Sequence, residues 1–169
     1  MTRAVLSIGS NIGDSLGHLR SVATELGSRL VACSAVYRSA PWGGVEQQDF
    51  LNAALVAEDD AYDPWDWLRL GQQLEEAADR VRVQRWGPRS LDVDVIVCDD
   101  VISEDPRLLL PHPRAHERAF VLLPWLDVEP DATLRVGDED VPVTELLSRL
   151  SAEERAGVVR LDGIGDRLW

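Results

Sequence analysis

The chain has 169 residues, of which 30 are acidic and 17 basic, giving a formal net charge of −13. A chain of this length can bury a core of its own without disulfides or structural metals, and its acidic balance argues against binding along a nucleic acid duplex. The sequence contains no lysine, which excludes a Schiff-base lysine, a phosphate-loop lysine and a kinase of the catalytic-lysine type.

Patterns of apolar and turn residues predict the elements of the first half of the chain. The β-branched run over residues 3–10 predicts a strand, and leucines at helical spacing predict a helix over residues 15–30. Two further strands are expected over residues 30–39 and 50–58. The segment between these two strands is rich in proline, glycine and polar residues, which indicates a loop.

The second half opens with a helix whose start is marked by Asp63 as the N-cap and Pro64 in the first turn. After a loop over residues 82–90, the run LDVDVIVCDD predicts a fourth strand. Beyond it we expect a loop, a short helix, a small hairpin and a last helix. Residues 161–169 resemble a tail.

The order of these elements predicts the fold. A β-α-β-β-α-β succession is typical of the split βαβ unit of the ferredoxin-like fold, an α/β (α+β) sandwich, here with a small C-terminal extension. We therefore expect a single domain over residues 1–169, with both helices on one sheet face and the first and last strands adjacent in the middle. A doubly wound sheet requires regular strand–helix alternation, which the succession of the second and third strands breaks.

Two aspartates lie two residues apart on the fourth predicted strand. Asp92 and Asp94 then share one sheet face, with Ile96 and Cys98 further along that face, and their Cβ atoms are about 7 Å apart. At an effective dielectric constant near 20 the two carboxylates repel each other by about 2 kcal/mol, so a cation is expected between them. Mg²⁺ suits such oxygen ligands, and two ions can share the pair; the alternative is a solvated strand end paired with arginine.

Arginines precede this strand in a chain that is acidic overall. Residues 80–89 contain four of them and no acidic residue, together with Trp86. A guanidinium group can donate two parallel hydrogen bonds to phosphate oxygens, and it stays charged at any working pH. A basic loop can also be only a solvated surface. Glu75, on the preceding helix, can orient one of these arginines or form an ordinary salt bridge. Carboxylates suited to metal binding lie beside arginines suited to phosphate binding. Together they indicate binding of a magnesium–nucleoside triphosphate and transfer of a phosphoryl-type group.

At this point the sequence resembles the 6-hydroxymethyl-7,8-dihydropterin pyrophosphokinase family. The resemblance covers about 120 residues and is strongest in the arginine–tryptophan–aspartate segment. It rests on these motifs: GSN at 9–11, YRSAPWG at 37–43, DFLNAA at 49–54, RWGPRSLDVDV at 85–95 and PHP…ERAF at 111–120.

The resemblance implies a ferredoxin-like enzyme that uses ATP as co-substrate and two Mg²⁺ ions. Such enzymes transfer diphosphate from ATP to 6-hydroxymethyl-7,8-dihydropterin in folate biosynthesis and release AMP. By resemblance the metal ligands are Asp92 and Asp94, and the catalytic group adds Arg80, Arg82 and Arg89. The implied ATP site adds Glu75, Arg85, Trp86, Val95, His112 and Arg118. The implied pterin pocket consists of Ser39, Ala40, Trp42, Phe50, Asn52, Asp92 and Phe120.

The residue types in the implied pterin pocket suit a flat, bicyclic ligand. Trp42, Phe50 and Phe120 offer aromatic faces, although each can equally be a core residue. Asn52 offers paired donors and acceptors, and leaving it unpaired inside an apolar strand costs about 1–3 kcal/mol. His112, between two prolines, can donate to a phosphate or simply end a loop.

Two other functions are compatible with the same residues. A nucleotidyltransferase would use the two aspartates but release pyrophosphate, and a non-catalytic ferredoxin-like module would bind an effector without turnover. The expected partners are small molecules, ATP and the pterin, with neither nucleic acid nor membrane, and the chain is expected to act as a monomer. Because we find no signal peptide and no apolar run of about 18 residues, the expected location is cytoplasmic.

Overall fold

The computed structural model describes residues 1–41, 48–79 and 90–162. The strands in these ranges are β1 (Thr2–Ser10), β2 (Leu30–Cys33), β3 (Tyr37–Ser39), β4 (Phe50–Asp59), β5 (Asp92–Cys98), β6 (Ser103–Asp105), β7 (Leu108–Leu110), β8 (Thr133–Val136), β9 (Glu139–Pro142) and β10 (Val158–Arg160). The α-helices are α1 (Ser15–Leu26), α2 (Pro64–Ala78), α3 (Ala119–Val128), α4 (Val143–Arg149) and α5 (Ala152–Ala156).

The main sheet has the strand order β10-β3-β4-β1-β5, with β2 also paired to β4. All of these pairings are antiparallel. The ferredoxin-like arrangement predicted from the element order is thereby confirmed. The first and last strands of the unit, β1 and β5, are adjacent as expected, but the expectation that both lie in the middle is wrong. In the described sheet β5 is an edge strand, because β4 returns between β1 and β3 and takes the central position beside β1.

Each face of the sheet is covered by its own set of helices. On one face α1 and α2 bury Leu19, Val22 and Trp67 against the strands, each without exposed surface. On the opposite face α3 buries Leu122 and Trp125 in a second cluster, together with the small sheet formed by β8 and β9. Both long helices, α1 and α2, lie on one face as predicted, and the opposite face carries the C-terminal elements and the polar residues described below.

Two element boundaries differ from the sequence-based expectation. The first helix ends at Leu26 instead of residue 30, because Gly27 has φ 54°, a left-handed conformation that glycine tolerates and that ends the helix. The second predicted strand is interrupted between β2 and β3. There the Ser34 backbone N–H donates to the Ala54 carbonyl at 2.9 Å, and the Ser34 hydroxyl accepts a hydrogen bond from the Ala54 N–H at 2.8 Å.

A β-bulge in β5 corrects the predicted orientation of one residue. Val5 pairs with Val97 and Leu6 pairs with Val95, so Ile96 is an extra residue on β5. Ile96 packs on the α3 face, which is the aspartate face, as expected. The extra residue shifts the alternation, and Cys98 therefore packs on the α1–α2 face instead of the aspartate face.

The C-terminal part contains elements that the sequence analysis did not predict. The hairpin β6–β7 precedes α3, and β10 joins the main sheet beside β3. The short helix, the hairpin β8–β9 and α4 follow the expected order. No helix within the described ranges is both long and apolar enough to cross a bilayer.

The capping box of α2 gives a test of local stability. The Asp63 carboxylate accepts a hydrogen bond from the Asp66 N–H at 3.0 Å, and the Asp66 carboxylate accepts one from the Asp63 N–H at 2.9 Å. We expect Asp63→Ala to lower the free energy of unfolding by about 1 kcal/mol in urea titrations. Asp60→Ala, at an exposed carboxylate in the preceding turn, should leave the midpoint unchanged. Equal midpoints for the two variants would contradict this role of Asp63.

Candidate active site

The two aspartates lie at the start of the edge strand β5, on the sheet face that carries α3. Asp92 is paired with Gly9 of β1, and Asp94 is paired with Ser7. Both are partly buried, whereas Val93 between them is buried in the core on the opposite face. The strand geometry therefore presents two carboxylates side by side on one face, as the sequence predicted.

The outer edge of β5 is held by α2. Glu75 on this helix accepts a hydrogen bond at 2.9 Å from the Val93 N–H, which has no partner strand on that side in the described sheet. Helix and strand approach closely because Gly71 lacks a side chain: a Cβ there would lie 3.1 Å from a Val93 methyl carbon. The sequence suggests that Glu75 orients an arginine; in the described structure its carboxylate also fixes the strand that carries the aspartates.

His112 is anchored on the same edge, beside the aspartates. The backbone N–H of His112 donates to the Ile96 carbonyl at 2.8 Å, and its ring Nδ1 accepts a hydrogen bond from the Arg114 backbone N–H at 3.2 Å. This contact assigns the neutral tautomer with its proton on Nε2. Partial burial lowers the pKa of His112, and the Asp94 carboxylate opposes that shift. The neutral imidazole thus places an Nε2–H donor near Asp94.

A second group of polar residues lies across the same face. Asp92, Gly9 and Asn52 occupy one row over three neighbouring strands, so Asp92 and Asn52 are about 10 Å apart. Asn52, only 3% exposed, donates from its amide to the Ser39 hydroxyl at 2.8 Å. Phe50 is two residues before Asn52 and on the same face.

Gly9 keeps the middle of this row open. A Cβ at Gly9 would lie 3.2 Å from the Asn52 amide oxygen and 3.8 Å from the Phe50 ring. The glycine lies in the GSN motif, but its role is visible only in the register of three strands, where it separates the carboxylates from Asn52. The row therefore has a carboxylate at one end, an amide at the other and no side chain between them.

The start of α3 contributes Phe120 and Arg118. Phe120 is partly buried and packs against clusters on both sides of α3, and the Arg118 guanidinium lies 5.5 Å from the centre of its ring. The attraction between the cation and the aromatic face stabilises the orientation of both side chains. Arg118 also lies close enough to His112 to help lower the pKa of that imidazole, which links this residue to the aspartate end of the site.

Other residues that the sequence predicts for the site are either buried, exposed or outside the described ranges. Val95 has its side chain buried in the core, so only its backbone can face a ligand, and Ala40 is exposed next to Ser39. The remaining ones lie outside the described residues: Arg80, Arg82, Arg85, Trp86, Arg89 and Trp42.

The carboxylates of Asp92 and Asp94 suit a hard divalent cation that takes most of its ligands from water or substrate. Within the described ranges no cluster of three or more histidine, cysteine or acidic side chains is placed to hold a metal. Two partly buried carboxylates on one face are the described oxygen donors, and Mg²⁺ usually takes one or two protein carboxylates, with water and phosphate oxygens as its other ligands.

Comparison with known proteins identifies close relatives over nearly the whole chain. Residues 5–130 match the family described as 7,8-dihydro-6-hydroxymethylpterin-pyrophosphokinase (HPPK). The chain is 53% identical over 167 residues to the 2-amino-4-hydroxy-6-hydroxymethyldihydropteridine pyrophosphokinase of Mycobacterium tuberculosis, covering 94% of this chain and 89% of that protein. It is 43% identical over 166 residues to the protein of the same name from Methylorubrum extorquens, covering 96% and 100%.

Solved structures share the fold at low sequence identity. A Plasmodium falciparum HPPK-DHPS with pterin and p-hydroxybenzoate superposes with a TM-score of 0.67 at 15% identity, over 94% of this chain and 46% of that chain. An HPPK-DHPS in complex with substrates gives a TM-score of 0.63 at 11% identity, over 86% and 42%. The chain thus spans less than half the length of these solved chains, and the likeness supports the fold.

The buried contact between Asn52 and Ser39 is open to a direct test. We expect Ser39→Ala to lower the free energy of unfolding by about 1–3 kcal/mol, because the buried amide loses its acceptor. Ser39→Thr keeps the hydroxyl and should recover most of that loss in urea titrations. Equal losses in the two variants would show that side-chain volume at position 39 matters and the hydrogen bond does not.

Proposed function

The chain belongs to the 7,8-dihydro-6-hydroxymethylpterin-pyrophosphokinase family, and on this basis we propose how its candidate site performs the family reaction. The chain transfers diphosphate from ATP to the hydroxymethyl group of 6-hydroxymethyl-7,8-dihydropterin and releases AMP, a step of folate biosynthesis. The observation that carries the site assignment is the shared row of Asp92, Gly9 and Asn52, which joins a cation-binding end to an amide that suits a pterin edge.

Asp92 and Asp94 are the residues proposed to hold Mg²⁺, and two ions are proposed to share the pair. Bound divalent cations neutralise the charge of the triphosphate and polarise the oxygens of the transferred group. The carboxylates suit this role because they share a face and are partly open to solvent at a sheet edge. His112 and Arg118 lie on the Asp94 side, where they can donate to phosphate oxygens.

The pterin is proposed to bind at the other end of the row. Asn52 can match the amide-like edge of the ring with its remaining donor and acceptor, because its contact with Ser39 fixes the side chain but uses only one N–H. Phe50 and Phe120 provide flat apolar surfaces for the ring faces. Trp42 and the backbone of Ala40 are proposed to complete this pocket, since they adjoin Ser39 in sequence.

The remaining predicted contacts bind ATP. Arg80, Arg82 and Arg89 are proposed to bind the phosphates, Arg85 and Trp86 to contact the nucleotide, and the Val95 backbone to contact the base. Their position in the sequence supports this, since all but Val95 lie between α2 and β5, which meet at Glu75. Guanidinium groups near the aspartates would complement the triphosphate that the carboxylates bind through metal.

The chemistry is an in-line displacement at the β-phosphorus of ATP. The pterin hydroxyl oxygen forms a bond to this phosphorus as the bond to the α,β-bridging oxygen breaks, and AMP leaves with that oxygen. Asp92 is proposed to accept the hydroxyl proton because it shares the row with Asn52, whereas Asp94 lies two residue pairs further along β5. The protein contributes positioning and charge complementarity more than covalent chemistry.

Removal of either carboxylate tests the proposed metal site. We expect Asp92→Asn and Asp94→Asn each to reduce turnover with Mg-ATP by at least about a hundredfold, with an unchanged circular dichroism spectrum. Asp100→Asn, an equal change at an exposed turn after the same strand, is the control and should keep full activity. Turnover within threefold of the unchanged protein in either site variant would refute the assignment.

The nucleotide product identifies the reaction. Incubation with Mg-ATP and the hydroxymethyl pterin should give AMP and a diphosphorylated pterin in equal amounts, as measured by chromatography. ADP would indicate simple phosphoryl transfer, pyrophosphate would indicate a nucleotidyltransferase, and no turnover would indicate a binding module. Each of these three outcomes would overturn the proposed reaction.

The open centre of the row gives a test of the pterin assignment. A Cβ at Gly9 would press on the Asn52 amide oxygen, and Asn52 cannot move freely because it is buried and bonded to Ser39. We expect Gly9→Ala to raise the KM for pterin about tenfold and to change the KM for ATP less than twofold in steady-state assays. A larger effect on ATP than on pterin would place the pterin elsewhere.

A further inference from the structure

The C-terminal segment, defined here as residues 151–161, lies beyond the part of the chain that matches the family. It includes α5 and β10, and it ends where the sequence predicted a tail. In the structure this segment contacts two separate elements that carry proposed pterin-binding residues. One is β3, which carries Ser39, and the other is the start of α3, which carries Phe120.

The first contact is with β3. Strand β10 pairs with it in a fixed antiparallel register that places Val158 opposite Ser39 and Arg160 opposite Tyr37. Val158 is 9% exposed and packs with Tyr37 and Ala119, in a cluster that Phe120 adjoins. Because β3 is only three residues long and pairs with β4 on its other side, β10 holds the second edge of the strand that carries Ser39.

A carboxylate on α3 links the two strands to that helix. Asp127 accepts hydrogen bonds from the Tyr37 hydroxyl at 2.9 Å and from the Ala35 N–H at 3.2 Å. Arg160 of β10 pairs with the same carboxylate at 3.5 Å. Burial and the hydrogen bond to Asp127 raise the pKa of Tyr37 to about 12, so the phenol stays a donor at neutral pH. Arg160 thus balances the charge of the carboxylate that positions β3.

The second contact is with the start of α3. This helix has no acidic residue in its first turn and no side-chain cap from its own N-cap residue, Arg118. Glu154 of α5 reaches across and accepts a hydrogen bond from the Ala119 N–H at 3.4 Å. A carboxylate at a helix N-terminus satisfies a free N–H and complements the helix dipole. Glu154 therefore fixes the helical turn that presents Phe120.

We propose that the C-terminal segment is a positioning element of the pterin pocket, with Arg160 acting through β3 on Ser39 and Asn52 and Glu154 acting through α3 on Phe120. Neither residue is placed to touch the substrate; each holds one wall of the pocket in register with the other. The inference rests on the proposed function, because it assumes that Ser39, Asn52 and Phe120 bind the pterin. It predicts that a substitution in this segment weakens the binding of pterin and leaves the binding of ATP nearly unchanged.

The segment supplies its own matched controls. Glu154→Leu removes the contact with α3, whereas Glu153→Leu makes the same change at the neighbouring, exposed position of α5. Arg160→Leu removes the partner of Asp127, whereas Arg155→Leu removes an equal charge from an exposed position of α5. Glu154→Gln keeps a carbonyl acceptor and Arg160→Lys keeps a cation, so these two variants test rescue.

We expect Glu154→Leu and Arg160→Leu each to raise the KM for pterin three- to tenfold, with the KM for ATP and kcat changed less than twofold. Equilibrium titration of the full chain with the pterin should give a matching increase in Kd. Glu153→Leu and Arg155→Leu should behave as the unchanged protein, and the two rescue variants should recover at least half of the loss. The conservative variants also cover the case in which a leucine variant fails to fold.

The inference is overturned if the KM for pterin and the KM for ATP change in parallel, or if the controls lose as much as Glu154→Leu and Arg160→Leu. It is also overturned if no variant affects pterin binding while the unchanged protein converts Mg-ATP and pterin to AMP and pterin diphosphate. The absence of that conversion in the unchanged protein would instead refute the proposed function. The two failures are therefore distinguishable in one set of assays.

Discussion

The site depends on one constraint, the antiparallel register of β1 with β4 on one side and β5 on the other. This register aligns Asp92, Gly9 and Asn52 in a row on the face that carries α3. A slip of one residue would turn both aspartates into the apolar core under α1 and α2, at the cost of burying two unpaired charges. Val93, the residue between them, opposes the slip because it is buried in the core on the other face. The polar site is therefore specified by the same alternation that builds the core.

The edge strand that carries the proposed metal-binding carboxylates has a second requirement, since the N–H and C=O groups on the outer side of an edge strand can pair with other chains. Here both are used to build the site. Glu75 binds the Val93 N–H and holds α2 against β5, while the His112 N–H binds the Ile96 carbonyl and brings an imidazole next to Asp94. Protection of the edge and placement of the flanking groups thus come from the same hydrogen bonds. Glu75 therefore has a structural role beside a site that is proposed to bind a triphosphate.

The sequence predicted the element order, the ferredoxin-like fold and the shared face of Asp92 and Asp94, because these follow from local periodicity and from the spacing of two residues. It did not predict β10, whose three residues carry no strand pattern of their own and are ordered by pairing with β3. Nor did it predict the position of Cys98, since a bulge depends on pairing with β1 and not on the composition of β5. The role of Gly9 and the contact of Glu154 with α3 join residues far apart in the chain, and local patterns hold no information about them.

The bulge at Ile96 divides β5 into two parts with opposite alternation. The first part of this seven-residue strand presents the carboxylates, and the second part ends in the core residue Cys98. One strand thus serves both the site and the core. The bulged residue itself turns its carbonyl toward His112. A homologous chain without this one residue would keep both acids side by side on β5 but would lose the backbone contact that anchors the imidazole.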